Sequence, residues 1–281
     1  MKTKEFDIEV VGKIGSMAMR NREKTAIDEG RLKRLCAELR PGIVWVTSGA
    51  TEIGRLDFIM RTGGELKSAD ADENKTDYAS QGQAILMDMY RRFIDPAYGV
   101  RQLLVEHQHF NDGDKRRHIR GLLLRAARQN CVPIINYNDA VSFEENRKME
   151  IHALKTHGGD IAELVDNDET AARVACLLNA RNLVVLTGVD GIYADPHDRS
   201  TLISRIEGGT PEQLLRNIDK AKLSCVGASR SGANGAGAKL EYVKAPALQG
   251  TRVIIANAAY PLKEILGGNV PCTVIELVKD Y

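Results

Sequence analysis

Residues 132–141 read VPIINYNDAV and residues 164–175 read LVDNDETAARVA, and these two stretches decide how the chain is to be folded. Each is an apolar run that ends in short amide and acid side chains: Asn138 and Asp139 in the first, Asp166, Asn167 and Asp168 in the second. Asn and Asp are common turn formers, but grouped in this way they can also bind an ammonium or hold lysines in place. On this reading both clusters sit at strand ends or loops, outside any core.

Working outward, the same arrangement recurs. FDIEVVGKIGSMAM (6–19) is a strand with Lys13 at its exit, followed by a Gly/Ser turn. GIVWVTSGATEIG (42–54) is a continuous apolar strand that breaks at Thr47, Ser48, Gly49 and Ala50, small residues that let a ligand approach the backbone. NLVVLTGVDGIYADP (182–196) breaks at Thr187, Gly188 and Asp190, and TRVIIANA (251–258) breaks at Asn257. Helical periodicity lies between these runs, over about 25–40, 78–94, 114–130 and 169–179. Strands alternating with helices imply a mostly parallel sheet covered on both faces, and ligands of such sheets collect beyond the carboxyl ends of the strands. Lys115, Arg116, Arg117 and Arg120 read as the solvated face of one helix. Two polar stretches, 61–77 and 143–165, interrupt the alternation and read as lids or substrate loops.

Composition narrows the class. The 281 residues, 43% of them hydrophobic, can bury a large core. With 39 basic against 38 acidic residues, the balance argues for neither a nucleic-acid nor a membrane partner. Five cysteines without CxxC spacing read as reduced core residues of a cytoplasmic protein, and no apolar segment approaches membrane-spanning length. His107 and His109 would share a face on a strand, but without further ligands they make no metal site.

The last signal is VGASRSGANGAGAKLEYVKA (226–245), where small residues run from Gly227 to Ala238 and Lys239 opens a helical segment. Loop amides, a helix start and a lysine together make a phosphate cradle. The spacing fits neither a Walker A motif nor a dinucleotide fingerprint. Two isolated lysines after glycines, with acid clusters able to position them, suggest phosphoryl transfer between two anions, chemistry that needs positive charge around the moving group and little else.

The order of KIGS, VTSGA, ASQGQ, VPIINYNDAV, DNDETAARVA, LTGVDGIYADP and a glycine-rich loop ending in AKL resembles the amino-acid kinase family, and within it the glutamate 5-kinases, from Val10 to about Ala259. The resemblance implies a three-layer α/β/α sandwich with a mainly parallel sheet, in one domain spanning 1–281. Its N-terminal lobe, about 1–170, would bind the acceptor, and its C-terminal lobe, about 171–281, the nucleotide. By the same resemblance, Lys13, Lys239 and Asp168 would be catalytic, the two lysines flanking the phosphoryl and Asp168 holding them. Ser48, Gly49, Ala50, Asp139 and Asn167 would bind the acceptor, and Gly15, Thr187, Gly188, Gly235, Ala236, Gly237 and Ala238 the nucleotide. No residue is assigned as a protein metal ligand. ATP with Mg²⁺ would phosphorylate a small carboxylate, L-glutamate first among them, as in the first step of proline biosynthesis, in a dimer or tetramer. The chain also departs from the family: Gly188 stands where Asp is usual, ANGAGAK replaces TGGM and its following Lys, Tyr137 replaces a common Glu, and the Asp139 to Asp166 connector is longer. An RNA-binding-like C-terminal domain found in many members is not part of this sequence. Another small acid or phosphorylated metabolite as acceptor, or a non-catalytic nucleotide-dependent sensor or storage protein, remain open alternatives.

Overall fold

Strand β1 (Ile8–Ile14) carries Val10, Val11 and Ile14, all fully buried, on both of its faces. Only a central strand of a sheet covered on both sides can bury such a run. The computed structural model, which describes all residues except 1–4, 22, 24, 25, 69, 143, 157, 159, 160, 196, 226–234 and 279–281, gives β1 that position. The chain continues through α1 (Glu29–Cys36), β2 (Ile43–Thr47), α2 (Ala50–Thr62), α3 (Ala71–Phe93), β3 (Gly99–Val105), α4 (Gln108–Asn111), α5 (Gly113–Arg128) and β4 (Cys131–Tyr137). It then forms α6 (Glu144–Thr156), α7 (Asn167–Leu177), β5 (Ala180–Thr187), β6 (Arg205–Gly208), α8 (Pro211–Cys225), α9 (Ala236–Tyr242), α10 (Lys244–Leu248), β7 (Arg252–Asn257), α11 (Leu262–Gly267) and β8 (Cys272–Leu277). The eight strands lie in the order β3-β4-β2-β1-β5-β7-β8-β6, parallel throughout except for the β7/β8 pair. One hydrophobic layer, with Val11, Val46, Leu123, Val185 and Ile255, fills one side of the sheet. A second, with Val10, Trp45, Leu86, Tyr90 and Ile254, fills the other, completing a three-layer α/β/α sandwich.

β1 is flanked by β2 on one side and β5 on the other, so the strand order reverses at β1 and opens a crevice at the carboxyl ends. The backbone seals those ends together. Ser48 donates to the Ile14 carbonyl at 3.2 Å, Gly15 to Leu186 at 3.4 Å and Ala258 to Thr187 at 2.9 Å. The turns after four strands are thereby held level around one opening.

Several sequence expectations are corrected. Residues 71–77 are not loop but the first turns of α3, started by the Asp70 side chain accepting from the Asp72 amide. The connector read as an irregular excursion carries helix α6, although 143, 157, 159 and 160 lie outside the described residues. His107 and His109 stand at α4 rather than on a strand, and His107 Nε2 meets Glu150 of α6 at 3.0 Å. Of the cysteines, Cys36, Cys225 and Cys272 are buried, while Cys131 and Cys176 are half-buried. Helices α2 and α8 and strands β6 and β8 carried no clear signal; β6 and β8 gain their partners only from distant strands. Among the described residues, no helix is long and apolar enough to cross a membrane.

Helices α2 and α3 cross so closely that Gly54 and Gly82 touch each other's backbone. A Cβ on Gly54 would collide with the Tyr78 carbonyl, and one on Gly82 with the Ala50 carbonyl. The crossing fixes both the α2 start, which follows Ser48 and Gly49, and Gln83 of α3, which faces the β4 end. Gly82→Ala is therefore expected to destabilise the fold by about 1–3 kcal/mol, as overpacking does. Gly64→Ala, where a Cβ meets nothing within 4 Å, should stay within roughly 0.5 kcal/mol. Urea unfolding of both variants checks the contrast; equal stability would remove the crossing from the account.

Candidate active site

Asp166 caps helix α7: its Oδ1 accepts from the amides of Asp168 and Glu169 at 2.8 and 3.0 Å. The cap turns Asp168 inward in the first helical turn, where negative charge is favoured by the helix dipole. Two lysines meet it there. Lys13 Nζ lies 2.7 Å from Asp168 Oδ1, and Lys239 Nζ of α9 lies 2.8 Å from Oδ2. Asp168 is only 4% exposed. Burial alone would raise its carboxyl, yet the two ammonium groups hold it below the usual carboxylate range. Of the clusters expected outside the core, Asp168 is the exception, being buried, while Asn138, Asp139, Asp166 and Asn167 are half-buried.

The trio stands in the wall of a cavity of about 650 Å³. On one side are the ends of β2 and β4 with the start of α7. Asn167 Nδ2 donates to Ser48 Oγ at 3.1 Å and to Asn136 Oδ1 at 3.0 Å, and its own Oδ1 accepts from the Tyr137 amide at 3.3 Å. Asn136 Nδ2 in turn donates to Gln83 Oε1 at 2.8 Å. Gly49 adopts φ 103°, a left-handed conformation that suits glycine, and so brings backbone to the cavity without strain. Asp139 faces Lys75 of α3 at 3.7 Å, and burial raises its carboxyl against the pull of that lysine.

The other side is more apolar, with Leu186, Val189, Ile192, Ala236 and Ile255 in its wall beside Thr187 and Gly188. Gly15 also lines the cavity, with Lys13 Nζ near it. Ala50, Gly235, Gly237 and Ala238 are not in the lining; Gly235 precedes α9 and Gly237 faces the Lys222 side chain. Lys239 sits within α9 rather than opening it. Residues 227–234 of the small-residue loop, including Ala233 and Asn234, lie outside the described residues.

Among the described residues, no three His, Cys, Asp or Glu side chains converge on a metal-sized site. Mg²⁺ keeps waters and binds through one or two carboxylates plus substrate phosphates. Asp166 Oδ2, buried in the cavity wall without a hydrogen-bond partner among the described residues, is a carboxylate oxygen that such a cation could meet. Burial, and after it the neighbouring Asp168 charge, raises the Asp166 carboxyl against the pull of the Glu169 and Asp168 amides and of Lys13.

Sequence reasoning missed four residues at this site. Asn136 was inside a quoted motif but looked like the end of an apolar strand. Lys75 fell in a stretch read as loop, and Arg147 in a charged connector. Tyr137, noted only as a departure, joins two parts of the cavity, its amide on Asn167 and its hydroxyl 2.9 Å from Ser142 Oγ.

Comparison with known proteins bears on this geometry. The chain is 29% identical over 283 residues to a glutamate 5-kinase of Alkaliphilus metalliredigens, with 96% of each chain covered. It is 28% identical over 271 residues to a glutamate 5-kinase of Carboxydothermus hydrogenoformans, covering 92% of this chain and 65% of that one. Against a Xylella fastidiosa glutamate 5-kinase it is 30% identical over 194 residues, 67% of this chain and 44% of the other. It therefore spans nearly all of one relative and about half to two thirds of the others. Among solved structures, carbamate kinase from Giardia lamblia bound to AMP-PNP superposes with a TM-score of 0.58 at 16% identity, over 97% of this chain and 99% of that one. UMP kinase from Bacillus anthracis gives 0.53 at 13% identity, over 99% and 98%. These two share the fold. A model of the amino acid kinase family matches residues 9–257, and the chain belongs to that family.

Proposed function

We propose that this protein transfers the γ-phosphoryl group of ATP to a small carboxylate, L-glutamate being the first candidate, to form an acyl phosphate. The observation that carries the proposal is Asp168, which holds a lysine from β1 and another from α9 at 2.7 and 2.8 Å, at the meeting of the two sides of the cavity. Two lysines converge on one carboxylate in the cavity wall, where their ammonium groups are placed to meet the negative charge of a transferring phosphoryl. Relatives named glutamate 5-kinase support the choice of acceptor, and with it a place in proline biosynthesis. In this reading residues about 1–170 bind the acceptor and about 171–281 the nucleotide.

The acceptor carboxylate is ionised at neutral pH, so no general base is needed. One of its oxygens attacks the γ-phosphorus in line, a new P–O bond forms, and the bond to the bridging oxygen of ADP breaks. Ser48 and Asn167 orient the acceptor on the β2/β4 side, and the apolar wall of Leu186, Val189 and Ile255 receives the nucleotide. Lys13 and Lys239 neutralise oxygens of the moving group, and Asp168 keeps both ammonium groups in place without reaching the phosphorus. Mg²⁺, when bound, would add charge neutralisation on the phosphate chain, with Asp166 Oδ2 the protein oxygen fitted to meet it.

ADP release measured over a panel of small acids tests the activity directly. Lys13→Met and Lys239→Met should each lower turnover by ~100-fold or more, with circular dichroism unchanged, because each removes charge from the transition state. Activity near that of the unaltered protein in both variants would exclude the phosphotransfer role.

Asp139→Ala should raise the acceptor's KM by on the order of tenfold, the loss of one charge-assisted hydrogen bond, while the KM for ATP stays constant. A parallel rise in both constants, or a lower melting temperature with neither changed, would assign Asp139 to structure instead.

A further inference from the structure

Between α6 and α7 the chain has no regular structure over 161–165, and its backbone is held there by side chains. Arg173 of α7 donates to the Ile161 carbonyl at 3.0 Å, Asn111 of α4 exchanges two bonds with Ala162 at 2.8 and 2.9 Å, and Arg147 of α6 donates to the Glu163 carbonyl at 2.9 Å. Two further ties go to one carboxylate: Glu169 Oε1 accepts from the Glu163 amide at 3.1 Å and Oε2 from the Val165 amide at 3.0 Å. Leu164, between them, is buried and left-handed at φ 50°, a conformation costly to a residue with a side chain. Such a turn aims neighbouring amides to one side and makes a concavity for an anion. Here the chain's own carboxylate fills it.

The anion comes from the helix that carries the phosphoryl centre. Asp166 is the N-cap of α7, and Asn167, Asp168 and Glu169 are its first three residues. An acid at the third position usually reaches back to the N-cap amide and closes the helix start on itself. Glu169 reaches one and three residues further, to Val165 and Glu163, and so ties the start of α7 to the incoming chain. Arg173, one turn on, steadies the carboxylate, with its Nε 3.6 Å from Oε1. Without this tie Leu164 is free to leave its left-handed conformation, which swings Val165 and the Asp166 cap that follows it. The cap's Oδ1 holds the Asp168 amide at 2.8 Å, and Asp168 holds both lysines.

We infer that Glu169 is a positioning residue for phosphoryl transfer: its carboxylate, seated in the turn of 163–165, fixes the start of α7 and thereby the place where Asp168 presents Lys13 and Lys239. Glu169 does not line the cavity and meets no reacting group. It acts through the Asp166 cap. This rests on the phosphotransfer reading above.

Glu169→Gln in the full chain keeps the shape but has one acceptor oxygen where two are used, and it turns an N–H₂ group toward an amide. Turnover in ADP release should fall by about tenfold to a hundredfold, as a small misplacement of catalytic groups does, while the KM for ATP and for the acid stays constant. Asn111→Ala is the comparison. It removes the two bonds at Ala162 on the same segment without touching α7, so it should lower the melting temperature and leave turnover unchanged. Amide hydrogen exchange on both variants adds a measure that needs no activity: Glu169→Gln should speed exchange at Asp168 as well as at Glu163 and Val165, and Asn111→Ala at Ala162 without reaching Asp168. Unchanged turnover in Glu169→Gln, a rise in KM in place of the fall in turnover, or an equal fall in Asn111→Ala overturns the inference. Should Glu169→Gln fail to fold, Arg173→Met, which leaves the carboxylate in place but unsteadied, decides by the same split. If no acid releases ADP from the unaltered protein, the phosphotransfer reading fails by itself; exchange at Asp168 that is no faster in Glu169→Gln then overturns the positioning role, and faster exchange upholds it.

Discussion

The structure depends on one buried carboxylate shared by two ammonium groups. Taking Asp168, Lys13 and Lys239 out of water is costly, and their attraction offsets that cost only where the geometry is good and the helix adds its own donors. Removing Asp168 would take from both buried ammonium groups the carboxylate they share, about 3–5 kcal/mol for a broken buried pair. The set therefore constrains three distant parts of the chain: the exit of β1, the first turn of α7 and the helix α9. β1 must pair with both β2 and β5 so that its exit lies at the reversal of strand order, and the Asp166 cap must set the rotation of α7 that turns Asp168 inward. Both ammonium groups also line the cavity, so the interaction that constrains the fold faces the space where a ligand would sit.

Support for the trio comes from polar groups that touch no ligand in the proposed reaction. Glu169, the residue after Asp168, is buried and accepts from the amides of Glu163 and Val165 at 3.1 and 3.0 Å, which closes the end of the connector onto α7. Asn136 does the same for the neighbouring strand, linking Gln83 of α3 to Asn167 of α7. The two amide and acid clusters are thus cross-braced through α3, and the close α2/α3 crossing keeps α3 at the distance those bonds require.

Much of this was readable from residue order. The strands β1, β2, β4, β5 and β7 are long apolar runs that end in small or polar residues, and both the alternation with helices and the position of the crevice follow from that pattern alone. Lys13 and Lys239 stood out as isolated lysines after glycines and Asp168 as one of an Asn/Asp cluster, while their roles came from the resemblance to the amino-acid kinase family. What escaped was decided by contacts between remote segments. β6 is a four-residue strand whose partner is β8. The first turns of α3 are so polar that only the Asp70 cap and the packing of later turns reveal a helix. Asn136 reads as the apolar strand around it does until Gln83 and Asn167 are placed beside it. Arg147 looked like any solvated arginine of a charged stretch, since its fork is fixed by Glu144 one turn away and by a carbonyl sixteen positions on.

The connector between Asp139 and Asp166 shows how one wall of such a site can be extended. Both of its ends are fixed, one at the β4 exit and the other at the α7 cap, so added length must rise over the β2/β4 side of the cavity and cannot reach the apolar wall built by β5 and β7. Helix α6 is the form that added length takes. A helix satisfies its own backbone groups, so it can be laid over an existing opening at the cost of a few surface anchors, here His107 and the Glu163 carbonyl. The residues it brings, Glu144 and Arg147, arrive already paired, which avoids leaving an isolated charge in a half-buried wall. The bonds of Asp168 to Lys13 and Lys239 join α7 to β1 and α9 and involve no residue of α6. The cavity wall that carries Glu144 and Arg147 and the centre around Asp168 are therefore built by different parts of the chain.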